Sequence, residues 1–277
     1  MSDLPRKSSN LASALRALHV PGDPLVLPNA WDAASAKAVV AAGFPVVATS
    51  SLAVSTVLGY DDGESMPVEE MLAAAARITR VVDHPVTVDF ERGYGLEPTE
   101  LVERFVATGA AGLNLEDSDP PTGDMVHARK QAEFLAAVRE AAVSAGVDLV
   151  INARIDVFLR GAGSHRELLD AGIDRGVRYL AAGVDCVYPI AVANPTVIRT
   201  LVEAMDGRPV NVGYSRQGRQ TVADLAALGV ARVSFGPNLQ GETYRRAAAV
   251  IAAIKADRKH SGLVFSPVRD DVWQTDR

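Results

Sequence analysis

A short apolar run followed by a helix-like segment recurs along this chain, and that alternation constrains its fold more than any other feature. Strand-like runs occur at 25–30, 46–51, 85–91, 112–117, 149–156, 184–190, 209–214 and 231–236. Between them lie amphipathic or Ala-rich stretches at about 32–42, 67–82, 98–108, 127–145, 164–182, 195–205 and 221–228, punctuated by Gly43, Gly109 and prolines at helix starts. About eight such units over roughly 240 residues match the length and period of a (β/α)8 barrel. An open doubly wound sheet uses the same unit. Here, however, no GxGxxG follows the first strand, and polar residues gather at the ends of many strands rather than at one switch point. The expected fold is therefore α/β, a TIM-type (β/α)8 barrel with a leading N-terminal helix at 8–19. No linker-like segment interrupts it, so 1–277 reads as one domain with a core of about 24–245 and a C-terminal helix and tail at 246–277. Phe265, Val268 and Trp273 in that tail are apolar enough to dock on a neighbouring subunit.

Composition closes off several function classes. Aromatic residues make up 5% of the chain and the net charge is −6, which argues against a nucleic-acid partner. No apolar run reaches the ~18 residues of a membrane span, and the first twenty residues do not read as a secretory signal, so a cytoplasmic protein is expected. Cys186 is the single cysteine, which excludes an internal disulfide or a cysteine zinc cluster, and its apolar neighbours assign it to core packing. The histidines at 19, 84, 127, 165 and 260 show no metal-binding spacing and are expected at the surface or in turns.

The chemistry collects at the strand ends. In Val86-Thr87-Val88-Asp89-Phe90-Glu91 an alternating run delivers two acids, expected on one face of an extended chain, before the turn Gly93-Tyr94-Gly95. A barrel brings all strand C-termini to one rim. There Ser50, Ser51, Asp62, Asp89, Glu91, Glu116, Asp117, Arg154, Asp156, Asn211 and Ser234 would meet. So many carboxylates repel one another unless a cation compensates them, and hard oxygen donors without His or Cys point to Mg2+ or Mn2+. Arg154 supplies either a bidentate grip on a substrate carboxylate or phosphonate, or a buried counter-ion for Glu116 or Asp156.

The runs Asn29-Ala30-Trp31-Asp32-Ala33-Ala34-Ser35-Ala36, Thr49-Ser50-Ser51, Leu58-Gly59-Tyr60-Asp61-Asp62-Gly63-Glu64, Asp89-Phe90-Glu91-Arg92-Gly93-Tyr94-Gly95, Leu115-Glu116-Asp117 and Asn152-Ala153-Arg154 carry a family likeness. Together, over most of residues 24–245, they resemble the isocitrate lyase/phosphoenolpyruvate mutase superfamily. The resemblance implies a barrel whose Mg2+ binds an α-oxo acid and stabilises its enolate as a C–C or P–C bond breaks or forms. By position, Asp89 would be the direct metal ligand, with Asp62, Glu91 and Glu116 holding metal-bound waters. Ser50, Ser51 and the Leu52 backbone would meet the substrate carboxylate and oxo group, Arg154 its other acidic end, and Asn211 adds a strand-end contact. Asp62, Glu116 and Arg154 are the expected catalytic residues. The resemblance also implies a last helix exchanged between subunits of a homodimer or homotetramer.

Departures from the family pattern narrow the chemistry. The loop Ser118-Asp119-Pro120-Pro121-Thr122-Gly123-Asp124-Met125 lacks the Lys-Lys-Cys-Gly-His of isocitrate and methylisocitrate lyases, and it also lacks the mutase and phosphonopyruvate hydrolase signature. Glu91 stands where Asp is commoner, and Ile190 where relatives often carry Glu or His. The expected activity is a Mg2+-dependent lyase or decarboxylase acting on a small α-oxo or 2-hydroxy dicarboxylic acid, with Tyr60, Tyr94, Tyr214 or a metal-bound water as proton-donor candidates. The alternatives are phosphonopyruvate-type P–C chemistry and a barrel that binds a carboxylate without turning it over.

Overall fold

Pro28 divides the first strand of the computed structural model, which describes residues 4–214 and 219–256, into β1 (Leu25–Leu27) and β2 (Asn29–Ala30). Proline has no N–H to give to a ladder, so each half pairs with a different neighbour. The other strands are β3 (Val47–Thr49), β4 (Val86–Asp89), β5 (Gly112–Glu116), β6 (Val150–Ile155), β7 (Cys186–Pro189), β8 (Asn211–Gly213) and β9 (Arg232–Ser234). All pairings are parallel. The strands from β2 to β7 pair in chain order, and β1 pairs with β9, which pairs with β8. A parallel bridge from Val187 to Val210 joins the two sheets at their other edge. With β1 and β2 counted as one strand, the result is the expected closed (β/α)8 barrel.

Asn29 stitches the seam that Pro28 leaves. Its Nδ2 donates to Thr49 O at 2.5 Å, while Oδ1 accepts from the Phe235 and Gly236 amides at 2.9 Å each. Outward residues such as Val47, Val88, Leu113, Ile151, Val187 and Val233 are buried under the helical layer. That layer comprises α2 (Ala33–Ala41), α3 (Ser51–Leu58), α4 (Val68–Thr79), α5 (Pro98–Val106), α6 (Ala128–Ser144), α7 (Val157–Arg160), α8 (His165–Ala181), α9 (Pro195–Ala204), α10 (Val222–Ala227) and α11 (Asn238–Ala256). Reciprocal caps start three of them: Asp32 with Ser35, Ser164 with Glu167 and Thr221 with Asp224.

Three local expectations need correction. Residues after Ser51, read as a strand end and loop, form α3, because Gly59 with φ 84° closes a helical turn that begins as soon as β3 ends. Strand β4 stops at Asp89, and Glu91 lies in a left-handed turn with φ 49°, so the two acids do not share the face of one extended strand. His19 is buried rather than on the surface, with Nδ1 2.9 Å from Leu15 O; burial, aided by the charge of Arg232, pulls its imidazole down to about 4.

The leading helix, α1 (Leu4–Ala17), closes the N-terminal mouth of the barrel. Ala12 and Leu15 join Leu25, Leu27, Val46, Ala48, Ala111 and Val150 in a core separate from the outer one. Gly112 makes room for this plug, since a Cβ there would stand 2.7 Å from Val150 O and 3.0 Å from Leu15 Cδ2. Arg16 then ties α1 to the loops before β6 and β7 through Asp148, Asp185 (2.6 Å) and Leu149 O (3.2 Å). At the other end of the chain, Gln240 of α11 bonds Ala53 O at 2.6 Å and Tyr244 packs edge-on against Trp31, but farther along the helix Ile251 is 66% and Ile254 47% exposed. The tail containing Phe265, Val268 and Trp273 lies outside the described residues. Among the described residues no helix is long and apolar enough to cross a membrane.

If α1 is an integral plug, Leu15→Ala should cost about 2–5 kcal/mol in urea unfolding, the usual range for a fully buried leucine. A loss below about 0.5 kcal/mol, typical of surface substitutions, would mean that the helix merely rests on the barrel.

Candidate metal and substrate site

Alternation along each strand sends every second side chain into the lumen. The inward residues of β4 to β9 are largely polar: Thr87 and Asp89, Asn114 and Glu116, Asn152 and Arg154, Cys186 and Tyr188, Asn211, and Arg232 and Ser234, the later member of each pair lying nearer the C-terminal rim. Most are nearly or fully buried.

Asp89 ends β4 beside the start of α3. Its Oδ2 accepts from the Ser51 amide at 3.0 Å, Oδ1 accepts from Asn114 Nδ2 at 3.3 Å, and its own amide donates to Thr49 Oγ1 at 3.0 Å. The first intrahelical bond of α3 runs from Val54 N to Ser50 O at 3.0 Å, so the Leu52 and Ala53 amides have no acceptor within the helix. A carboxylate and a helix start suited to an anion thus sit side by side.

Arg154 is the hub of the rim. It reaches Glu116 Oε2 through Nη1 at 2.6 Å and Asp156 through Nε at 2.6 Å and Nη2 at 2.9 Å. Both readings of this residue therefore bear on one side chain: it does neutralise Glu116 and Asp156, and three of the five guanidinium donors are engaged. Burial works against its charge, but Glu116 and Asp156 hold its proton more tightly than usual. Ser118 Oγ lies 3.1 Å from Glu116 Oε1 and 2.9 Å from Asp156 Oδ2, its one hydrogen shared between them, which pins the start of the 118–125 loop to the hub.

Glu91 is held differently. Tyr94 Oη donates to its Oε1 at 2.7 Å and the Glu64 amide to its Oε2 at 2.6 Å, while Glu64 Oε1 accepts from the Arg92 and Tyr94 amides at 3.0 and 2.6 Å. Positive φ at Glu64, Glu91 and Tyr94 (57°, 49° and 57°) makes this a strained clasp. Asp62 sits at the exposed rim, bonded to Ser51 and the Gly63 amide; desolvation and then the Asp89 charge raise its pKa.

The structure therefore brings together Ser50, Ser51, Asp62, Asp89, Glu91, Glu116 and Arg154. Two other candidates have separate roles. Asn211 lies across the barrel from Asp89 and bonds Ser234 at 3.1 Å. Asp117 points out of the lumen and accepts from the Asp156 amide (2.8 Å), Arg175 (2.8 Å) and Tyr179 (2.7 Å). Of the tyrosines, Tyr60 donates to Glu70 at 2.8 Å, Tyr214 stacks on Phe235 at 4.5 Å, and only Tyr94 bonds an acid of the cluster. Asn114, Ser118, Glu64 and Arg232 were missed. For Asn114 and Arg232 the signal was present, because each lies two residues before a rim residue on its strand. Beside Arg154, over Tyr188, a cavity of about 480 Å3 opens at the ends of β7 to β9, lined by Ile190, Val192, Tyr214 and Phe235 among others.

The donor set can be tested against a divalent cation. Among the described residues no three Asp, Glu, His or Cys side chains converge as a ready-made metal cage. Hydrated Mg2+ does not need one, since it is commonly anchored by one or two carboxylates and keeps several waters. The charge also fits. Burial, and secondarily Asp62, push Glu91 up to about 7, and burial plus Asp156 and Asp89 push Glu116 up to about 8 against the pull of Arg154. Both carboxyls thus hold protons that a divalent cation would displace on binding.

Comparison with known proteins places these residues in context. The profile of the family described as phosphoenolpyruvate phosphomutase matches residues 15–255. A crystal structure of a putative phosphonomutase from Burkholderia cenocepacia is 42% identical, with a TM-score of 0.83, over 88% of this chain and 99% of that one. An uncharacterised protein of Mycobacterium tuberculosis is 34% identical over 79% of this chain and 80% of its own length. A phosphoenolpyruvate phosphomutase of Streptomyces hygroscopicus is 29% identical over 89% and 80%. Other relatives carry the names 2-methylisocitrate lyase and oxaloacetate decarboxylase.

A carboxyl group whose pKa is raised on folding adds stability that is complete below its unfolded pKa and is lost as pH rises through the folded one. For Glu91 and Glu116 that loss accrues up to about pH 7 and about pH 8 respectively, while His19, pulled down from 6.5 to about 4, acts in the opposite sense below about pH 7, so the window from about pH 7 to 8 isolates the carboxyl groups. The melting temperature in EDTA should therefore fall across this window, and excess Mg2+ should flatten the slope. A flat profile in EDTA would contradict the raised carboxyl values of Glu91 and Glu116.

Proposed function

The chain belongs to the phosphoenolpyruvate phosphomutase family, within the superfamily that also holds isocitrate lyase, and from that premise we propose that it is a Mg2+-dependent lyase or decarboxylase of a small α-oxo or 2-hydroxy dicarboxylic acid. Enzymes of this superfamily include lyases, oxaloacetate-processing enzymes and mutases. The observation that carries the reading is the 3.0 Å bond between the Ser51 amide and Asp89, which joins a cation anchor to an anion-binding helix start.

In this reading Asp89 would hold the ion, with Asp62, Glu91 and Glu116 supporting it through water. When bound, Mg2+ (or Mn2+) supplies Lewis-acid stabilisation of the charge that develops on the substrate's oxo oxygen. Ser50, Ser51 and the Leu52 amide grip the adjoining carboxylate, and the two guanidinium donors of Arg154 left over from Glu116 and Asp156 serve the far acidic end. Tyr94 keeps its proton, because burial and the neighbouring Glu91 charge raise its pKa, and it holds Glu91 in place. Decarboxylation needs little beyond an electron sink, which suits a 118–125 loop without a catalytic cysteine.

A second reading, P–C bond chemistry on a phosphonopyruvate-like acid, draws on the 42% identical relative named as a putative phosphonomutase. The 118–125 loop lacks the mutase signature, which favours the first reading. As for assembly, we propose a homodimer or homotetramer built through α11, whose Ile251 and Ile254 would otherwise remain in water.

A screen of oxo and hydroxy diacids with Mg2+, followed by pyruvate or CO2 release, should find a substrate, whereas phosphonopyruvate followed by phosphorus NMR should remain unchanged. Asp89→Ala should keep the fold and lose both turnover and Mg2+ binding by calorimetry; wild-type affinity in that variant would sink the site assignment. The double variant Ile251→Glu/Ile254→Glu should shift the light-scattering mass to that of a monomer, and an unchanged oligomer would place the contact elsewhere.

A further inference from the structure

A lone cation lies beneath the acid rim. Arg232 is 1% exposed, and among the described residues no carboxylate stands within ion-pair distance of it. Its Nη2 donates to Asn114 Oδ1 at 3.2 Å, while Nε and Nη1 are buried without a protein hydrogen-bond partner. Strands β9 and β5 are the eighth and fourth staves of an eight-stranded barrel, so the guanidinium crosses the lumen from one wall to the other. Asn114 Oδ1 accepts a second bond there, from Asn152 Nδ2 at 2.8 Å. Two donors on one amide oxygen leave the amide a single orientation, with Nδ2 facing Asp89.

Burying a guanidinium without a carboxylate, and with two nitrogens unpaired, costs folding free energy; apolar replacements of buried charges are often neutral or stabilising. What the cation does accomplish lies one bond away. We propose that Arg232 is a positioning residue for the candidate cation anchor: by holding Asn114 Oδ1 it turns the amide nitrogen onto Asp89 Oδ1, and with the Ser51 amide on Oδ2 this fixes the rotation of the carboxylate. The inference rests on the reading of Asp89 as the metal anchor. Arg232 touches neither ion nor substrate and acts only through Asn114.

Mn2+ binding, followed through the paramagnetic resonance signal of the free ion, and melting temperature together test the relay. Arg232→Met should melt at or above the wild-type temperature yet bind Mn2+ about tenfold more weakly, in the usual range for a lost partner of a metal ligand. Asn114→Ala should weaken binding at least as much, and the double variant should bind no more weakly than Asn114→Ala alone. A purely structural arginine predicts the reverse pattern, with a lower melting temperature and unchanged affinity. A guanidinium that merely repels the ion predicts tighter binding in Arg232→Met. Either result overturns the relay, as does additivity in the double variant. Should Arg232→Met not fold, wild-type affinity in Asn114→Ala overturns it alone. Asp89→Ala separates the two levels: if it binds Mn2+ normally the anchor itself is wrong, and if only Asp89→Ala loses binding the relay is wrong while the anchor stands.

Discussion

One guanidinium, that of Arg154, holds together the strand ends on which the candidate site is built. Glu116 and Asp156 both lean on it, Ser118 bridges the two acids, and the 118–125 loop leaves from that bridge. A buried ion pair is weak evidence of stability, because desolvation consumes most of the Coulombic gain. Its value here is geometric. With Arg154 and a hydroxyl in contact, neither acid can rotate away, and burial among Asp156, Asp89 and Glu91 leaves Glu116 holding its proton more tightly than usual. A divalent cation would displace protons from such a cluster, which makes it an apt occupant.

The barrel beneath the rim is built in the opposite way at its two ends. At the N-terminal mouth the lumen is apolar, and α1 seals it with Ala12 and Leu15. Below the rim it is polar, with Asn152 and Arg232 both donating to Asn114 across it. A buried polar layer costs stability unless it is fully satisfied, and within the protein this one is not, since Asn152 Oδ1 and two Arg232 nitrogens have no protein partner. Local frustration of this kind is expected where a fold serves a site rather than itself.

Much of the architecture was legible in the chain. The strand–helix period, the glycine stops and the capping pairs are local, and local signals survive without tertiary information. The misses have equally physical causes. Helix α3 was hidden because its β-branched residues lower helix propensity, while its place directly after β3 is decided by packing. Glu91 was placed on a strand because alternation was extended two residues past Asp89, where the backbone turns left-handed to meet Glu64. His19 was assigned to the surface because nothing in its neighbours announces that α1 folds back under the barrel.

The sequence by itself determined the barrel, the rim that collects its acids, and the hard-oxygen character of any ion held there, because these depend on residue type and on a period of two within strands and of one strand per unit along the chain. Only the tertiary structure decided which acids act together. It directed Asp117 outward to Arg175, gave Arg154 to Glu116 and Asp156, and set Asn114 between Arg232 and Asp89. Those choices depend on which strands lie beside or across from one another, a consequence of barrel closure that no stretch of the sequence contains.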